Sequence, residues 1–199
     1  MSETHRRLPH IYLENEWLFV TWHLHGSLPH DRYPPPGLRA GEALVWMDRY
    51  VDTARTGPMY LLREDIARIV VHSLQHGVDL GHYDLRAWVI MANHVHVLLL
   101  PKIRPEKLLG ALKGCTAREA NLVLGRTGQP FWQAESYDHW VRDAREFQKI
   151  VDYIENNPVK AGFVTRPEDY PWSSAANPAA REGKSALAAG TSACATSTS

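Results

Sequence analysis

The order of predicted elements in this 199-residue chain indicates an α+β fold: a ferredoxin-like antiparallel sheet with helices packed on one face. Three observations predict it. The stretch 83–101 contains two adjacent strands that can form a hairpin, and an aromatic, β-branched strand precedes them at 17–25. Segments with apolar side chains every three or four residues separate and follow these strands, which is typical of amphipathic helices.

The individual elements follow in chain order. The strand WLFVTWHLH at 17–25 is followed by a proline-rich insert at about 28–58, in which three consecutive prolines exclude regular structure and a short helix is predicted within 38–56. Helices are predicted at 59–76, 105–124 and 142–157, and residues 131–132 begin a short extended segment. Pro158 is expected to end the third helix, because a residue before proline is disfavoured in the α region.

The sequence predicts one domain over residues 1–175 and a disordered tail at 176–199, where large apolar residues are almost absent. The net charge is +0 and the pI about 7.2, so any positive surface for nucleic acid must be local. Two cysteines, no apolar leader and no apolar run of membrane-spanning length predict a cytoplasmic protein without a membrane partner.

The second strand of the hairpin carries two histidines. His94 and His96 are separated by Val95, and because strand side chains alternate between faces, both imidazoles are expected on one face. Such a pair is half of a divalent-metal site, although it could instead cap the hairpin or face solvent. His23 and His25 have the same spacing at the end of the first strand and form a rival pair, while Asn93–His94 at the hairpin favours the later one.

The third predicted helix carries a second pair of polar residues. Tyr153 and Asn157 are four residues apart and lie on the same side of a helix. If that side faces the sheet, a phenol and a carboxamide join the imidazoles. A tyrosine hydroxyl can act as a covalent nucleophile, and an amide oxygen is a ligand for Mg²⁺ or Mn²⁺. Spacing alone favours the alternative that Tyr153 is a core aromatic residue with its hydroxyl at the surface.

Three segments, WVIMANHVHVLLLP, FWQAESYDHWVRD and IVDYIENNPVKAGFV, resemble the His–hydrophobic–His (HUH) transposases with a single catalytic tyrosine, in particular the REP-associated tyrosine transposases. The resemblance covers residues 14–174. It implies a ferredoxin-like fold, Tyr153 as nucleophile, and His94, His96 and Asn157 as ligands of Mg²⁺ or Mn²⁺. Insertion-sequence relatives usually have glutamine at the position of Asn157, and proline at that of Ala92.

The resemblance also implies an enzyme that nicks and joins single-stranded DNA, on hairpin or palindromic repeats, through a 5′-phosphotyrosine intermediate and without ATP. The protein would act as a monomer or a homodimer. Single strands are usually held by basic side chains and aromatic platforms. The candidate DNA contacts are Asn93, Lys113, Arg118, Trp132, Tyr137, His139, Arg142 and Lys160.

Two other functional classes remain open at this stage. Ferredoxin-like sheets also serve as non-catalytic modules that bind single-stranded nucleic acid, although no aromatic-rich RNA-binding strand is found here. Such a module would bind without metal and would be unaffected by Tyr153→Phe. A zinc hydrolase that uses His94 and His96 would need a further good ligand, which neither Cys115 nor Cys194 provides from its position in the sequence.

Overall fold

A computed structural model describes residues 15–27 and 57–177. The predicted short helix, most of the proline-rich insert and most of the predicted disordered tail lie outside these described residues. None of the helices in the described ranges is long and apolar enough to cross a membrane.

The described residues form one four-stranded antiparallel sheet. Its strands are β1 (Leu18–His23), β2 (Tyr83–Ile90), β3 (His94–Pro101) and β4 (Tyr137–Trp140), in the spatial order β2-β3-β1-β4. Strands β2 and β3 form the predicted hairpin, which turns at residues 91–93, where the Met91 N–H donates to the His94 carbonyl. This strand order, with a helix before β2 and another after β3, is the ferredoxin-like arrangement, so the predicted α+β class is confirmed.

Three α-helices pack on this sheet in the described part of the chain: α1 (Glu64–Asp79), α2 (Pro105–Val123) and α3 (Ala144–Lys160). Each helix begins at residues that favour a helix N-terminus. Two acidic residues occupy the first turn of α1, where they complement the helix dipole. Pro105 is the first residue of α2, and the Asp143 carboxylate accepts a hydrogen bond from the Glu146 N–H to cap α3.

The sheet is covered on both faces, which corrects the expectation of helices on one face. Leu18, Val20 and Trp22 pack with α1 and α2 in the larger core, whereas Phe19 packs with α3 in the smaller one. The physical reason is visible in β1, all six residues of which are buried. A strand that is buried on both sides belongs to a sheet that is covered on both faces. The third helix therefore faces the side of the sheet that the other two leave uncovered.

The third helix also continues past the predicted end. Pro158 lies inside α3, which runs to Lys160, so the expectation that Asn157–Pro158 ends the helix is wrong. A proline this close to the C-terminus removes only one helical hydrogen bond, and the helix closes behind it, where the Ala161 N–H donates to the Asn157 carbonyl at 3.0 Å. Pro158 is itself buried. As a result, Asn157 keeps a helical position and stays on the side of Tyr153.

Candidate active site

Two histidines of β3 lie beside each other on the sheet face that α3 covers. His94 and His96 are 1% and 0% exposed, and their ring centroids are 4.6 Å apart. Val95 between them belongs to the core on the opposite face. The strand thus presents two imidazoles at one place and fixes their separation.

Each of these rings is oriented by a hydrogen bond at Nδ1. The Thr21 hydroxyl lies 2.7 Å from His96 Nδ1, and the Asn93 Oδ1 lies 2.8 Å from His94 Nδ1. When Nδ1 donates to these oxygens, Nε2 of each ring carries the lone pair that can bind a cation. Asn93 was predicted to contact DNA; the structure places its side chain, 3% exposed, against His94.

The contribution of Thr21 was missed from the sequence. Thr21 lies opposite His96 in the β1–β3 pairing, 75 residues away along the chain. The register between strands so far apart in sequence is set by tertiary structure, and no local sequence pattern predicts it. Once the pairing is known, the alternation of side chains along β1 predicts that Thr21 lies at the site, because it places Phe19, Thr21 and His23 on one face.

Helix α3 brings Tyr153 to this pair. The Tyr153 and His96 ring centroids are 5.7 Å apart, and Phe19 from β1 packs against both rings, at 6.4 Å from Tyr153 and 5.7 Å from His96. The Lys160 ammonium lies 4.6 Å from the centroid of the Tyr153 ring. A phenol, two imidazoles and a cation therefore meet on one face of the sheet.

The hydroxyl of Tyr153 and the amide of Asn157 are buried without hydrogen bonds. Asn157 is 1% exposed, and neither its Oδ1 nor its Nδ2 has a hydrogen-bond partner within residues 15–27 and 57–177; the same holds for the Tyr153 hydroxyl. Burying an amide or hydroxyl without a partner costs about 1–3 kcal/mol each. Polar atoms that are left unsatisfied in one place are typical of a site for a ligand.

A third imidazole adjoins the pair. His23 lies opposite His94 in the sheet, with ring centroids 6.0 Å apart. Burial, with a smaller effect of Lys113, lowers the pKa of His23 to about 4. Burial also lowers the pKa of His96 to about 3 and that of His94 well below its usual value. All three rings are therefore neutral near pH 7, the form in which imidazole binds a metal.

The structure places His23 and His25, the rival pair, in different environments. Strand β1 ends at His23, and His25 is exposed in the turn that follows, whereas His23 is 2% exposed. The two imidazoles are therefore not presented together, and of the two only His23 joins the site.

The donor set suits a divalent cation with mixed nitrogen and oxygen ligands. Two neutral imidazoles, the oxygen of the Asn157 amide and water or a phosphate oxygen would form such a shell. In the described part of the chain, no group of three or more His, Cys, Asp or Glu side chains is arranged to hold a metal. Residues 15–27 and 57–177 therefore form no site made only of these residue types, as in a structural zinc centre.

Two of the other predicted DNA contacts border the site. Lys160 lies over the Tyr153 ring, and the Tyr137 ring packs edge-on against Phe19 at 6.4 Å. His139 and Arg142 instead meet the Glu146 carboxylate, at 3.1 and 2.7 Å. The hydrogen bond from Arg142 is the main reason that the pKa of Glu146 falls to about 2. These contacts fix the connection from β4 into α3.

The remaining three predicted contacts take part in other interactions, although Lys113 is close enough to His23 to lower the pKa of that imidazole. Trp132 is 7% exposed in the core on the opposite face, where it packs against Trp22, so its ring is not presented for stacking on a base. The Lys113 ammonium binds the Gln133 and Ala134 carbonyls at 2.7 and 2.9 Å and thereby holds the loop before β4. Arg118 is exposed on α2.

With this geometry established, comparison with known proteins identifies a family. A model described as "Transposase IS200 like" matches residues 60–157, which include His94, His96, Tyr153 and Asn157. Over this range, which is just under half of its length, the chain is similar to the IS200-like transposases. Strand β1, with Thr21 and His23, lies outside the matched range.

Three individual proteins are similar to this chain. A REP-associated tyrosine transposase of Escherichia coli (strain K12) is 28% identical over 94 residues, which are 46% of this chain and 53% of that protein. A Haemophilus influenzae protein provisionally given the same name is 42% identical over 43 residues, 22% of this chain and 24% of its own length. The alignments thus span about half and a quarter of these relatives.

The third is a solved structure of a REP-associated tyrosine transposase bound to a REP hairpin. It superposes with a TM-score of 0.53 and 21% identity, covering 96% of this chain and 93% of that one. At this level of identity the similarity establishes a common fold.

Proposed function

We propose that this protein is a metal-dependent transposase that nicks and rejoins single-stranded DNA through a covalent bond to Tyr153. One observation carries the proposal. Among the described residues, Tyr153 of α3 is the only tyrosine whose ring contacts His96. Its hydroxyl is buried without a hydrogen bond, and so is the amide of Asn157 on the same side of the helix. A structural tyrosine would satisfy its hydroxyl, as Tyr83 and Tyr170 do at 2.7 and 2.8 Å from main-chain carbonyls.

The reaction exchanges one phosphodiester for another. The Tyr153 oxygen attacks the scissile phosphorus, the phenol proton passes to solvent, and the bond from phosphorus to the 3′-oxygen breaks. The products are a 5′-phosphotyrosine and a strand whose 3′-oxygen has taken up a proton. Attack of a 3′-hydroxyl on the phosphotyrosine reverses these steps and joins strands. The bond energy is conserved, so ATP is not required.

The chain's own residues bind and orient the reactants. His94, His96 and Asn157 would hold Mg²⁺ or Mn²⁺, which when bound withdraws charge from a non-bridging phosphate oxygen. Thr21 and Asn93 hold the two imidazoles in place. Phe19 limits the movement of the Tyr153 ring, and the Lys160 ammonium adds positive charge beside the phosphate position.

Hairpin DNA is the substrate form that we propose. The solved relative is bound to a REP hairpin, and the neutral overall charge of this chain favours a local contact over a long charged groove. The phenol and the imidazoles of the site come from one chain, which supports a monomer that is complete by itself. A homodimer remains the alternative.

The test is to trap the intermediate. A labelled hairpin oligonucleotide with single-stranded flanks is incubated with the protein and Mn²⁺ and resolved on a denaturing gel. We expect a protein–DNA adduct that a chelator abolishes, and mass spectrometry of the digested adduct should locate the nucleotide on the peptide that contains Tyr153. Binding of the hairpin without any adduct, across a library of hairpin sequences, would instead establish the non-catalytic binding module.

Thr21→Val should weaken metal binding while preserving the fold. Valine has nearly the same shape as threonine but leaves His96 Nδ1 without its oxygen partner. Loss of such an orienting contact typically reduces metal affinity by about 10- to 100-fold. Calorimetric titration with Mn²⁺ measures the change. Thr116→Val, which removes a buried hydroxyl bonded to Trp132 on the opposite face, is the control and should leave Mn²⁺ affinity unchanged. Equal affinities for Thr21→Val and wild type would contradict the role of Thr21.

A further inference from the structure

The buried imidazole of His23 has no part in the function proposed so far. His23 is 2% exposed on the α3 face of the sheet, and its Nε2 is buried with no hydrogen-bond partner within residues 15–27 and 57–177. An apolar side chain at this position would avoid the cost of burying that nitrogen unsatisfied. The unused nitrogen therefore indicates that a ligand group completes it.

The main chain at His23 is held firmly at the end of β1. Its carbonyl accepts a hydrogen bond from the Gln133 N–H at 2.8 Å, and Lys113 in turn holds the Gln133 carbonyl at 2.7 Å. The next residue, Leu24, donates its N–H to the Asn93 carbonyl at 2.8 Å. The strand end is thus tied both to the loop before β4 and to the β2–β3 turn. Groups positioned by rigid neighbours are suited to contact a reacting atom.

Each of the four rings of the site lies close to the next. The distance between ring centroids is 5.7 Å from Tyr153 to His96, 4.6 Å from His96 to His94 and 6.0 Å from His94 to His23. Tyr153 also packs against Phe19 on β1, and His23 lies four residues further along that strand on the same face, so the phenol and the His23 imidazole adjoin different ends of the site. In phosphoryl transfer the attacking and leaving oxygens lie roughly in line on opposite sides of phosphorus.

We propose that His23 Nε2 donates a hydrogen bond to the 3′-oxygen that leaves when Tyr153 attacks. This inference rests on the proposed strand transfer and adds a catalytic residue to it. The bond between phosphorus and the 3′-oxygen breaks, and negative charge develops on that oxygen until it takes up a proton from solvent. A neutral imidazole N–H can stabilise such a charge without itself being ionised. In the joining direction the same contact holds the attacking 3′-hydroxyl in line.

Substitution of the leaving atom tests the role directly. Two hairpin substrates are compared, one with the natural 3′-oxygen at the scissile phosphate and one with sulfur in its place, which leaves readily without assistance. His23→Leu should slow adduct formation on the oxygen substrate by about 100-fold, within the usual range for loss of a group that assists a proton or charge transfer. On the sulfur substrate it should react at nearly the wild-type rate.

Three controls separate this role from others. His25→Leu, the exposed neighbour, should react like wild type on both substrates, and His23→Gln, which keeps an N–H donor, should recover part of the loss. Mn²⁺ affinity measured by calorimetry should be unchanged in His23→Leu. Equal slowing on both substrates, or a loss of Mn²⁺ binding, would overturn the assignment. Failure of wild type to form an adduct on either substrate would overturn the proposed function, and this inference with it.

Discussion

Tyr153→Phe should abolish formation of the protein–DNA adduct, by about 10³-fold or more, while hairpin binding and Mn²⁺ binding persist. The substitution removes only the oxygen that attacks phosphorus, because the ring can keep its contacts with Phe19 and His96. The hydroxyl is buried without a hydrogen bond, so its removal should cost the folded state nothing. Adduct yield on denaturing gels, calorimetry with Mn²⁺ and a gel-shift assay give the three measurements.

The matched control for this substitution is Tyr60→Phe. Tyr60 is a partly buried tyrosine on the opposite face of the sheet, where it packs against the larger core and stacks on Phe131 at 6.2 Å. It should form the adduct at the wild-type rate. An adduct that survives in Tyr153→Phe would assign the covalent bond to another residue, and unchanged strand binding with no adduct in wild type would favour the binding module.

Local patterns were sufficient for the parts of the site that lie within one element. Strand alternation predicted that His94 and His96 share a face, and helical spacing predicted that Tyr153 and Asn157 share a side. The sequence also contained evidence for two covered faces that the one-face prediction did not use. The run of buried residues in β1 has no polar alternation except at Thr21 and His23, and such runs are typical of strands buried on both sides.

Tertiary pairing decided what the local patterns could not. Thr21 and His23 reach the site only because β1 pairs with β3 in a register that sets them opposite His96 and His94. Similarly, a tryptophan between basic residues is equally compatible with a DNA-stacking platform and with a core position, and only packing against Trp22 shows that Trp132 takes the second. Composition gives the residue types of a site, whereas long-range register gives their neighbours.

Asn157→Leu should make the metal-free protein more stable and should lower its activity when Mn²⁺ is added. Leucine has a similar volume, removes two buried amide atoms that lack hydrogen bonds, and is a better helix former. We expect a gain of about 1 kcal/mol, which raises Tm by about 2–4 °C in a chain of this size. Wild type should gain stability from Mn²⁺ by mass action, and Asn157→Leu should gain less because one proposed ligand is gone. The adduct yield of Asn157→Leu should also fall below that of wild type.

Asn121→Leu separates the effect of the site from that of a buried helical asparagine in general. Asn121 is 6% exposed on α2; its Nδ2 donates to the Gln129 carbonyl at 2.7 Å, whereas its Oδ1 is buried without a hydrogen bond within the described residues. Its substitution shares the gain in helix propensity but leaves the Gln129 carbonyl without its donor, so metal-free Tm should rise less than in Asn157→Leu and the shift with Mn²⁺ should remain that of wild type. If Asn157→Leu lowered the metal-free Tm and kept the full Mn²⁺ shift, Asn157 would be a structural residue and not a ligand.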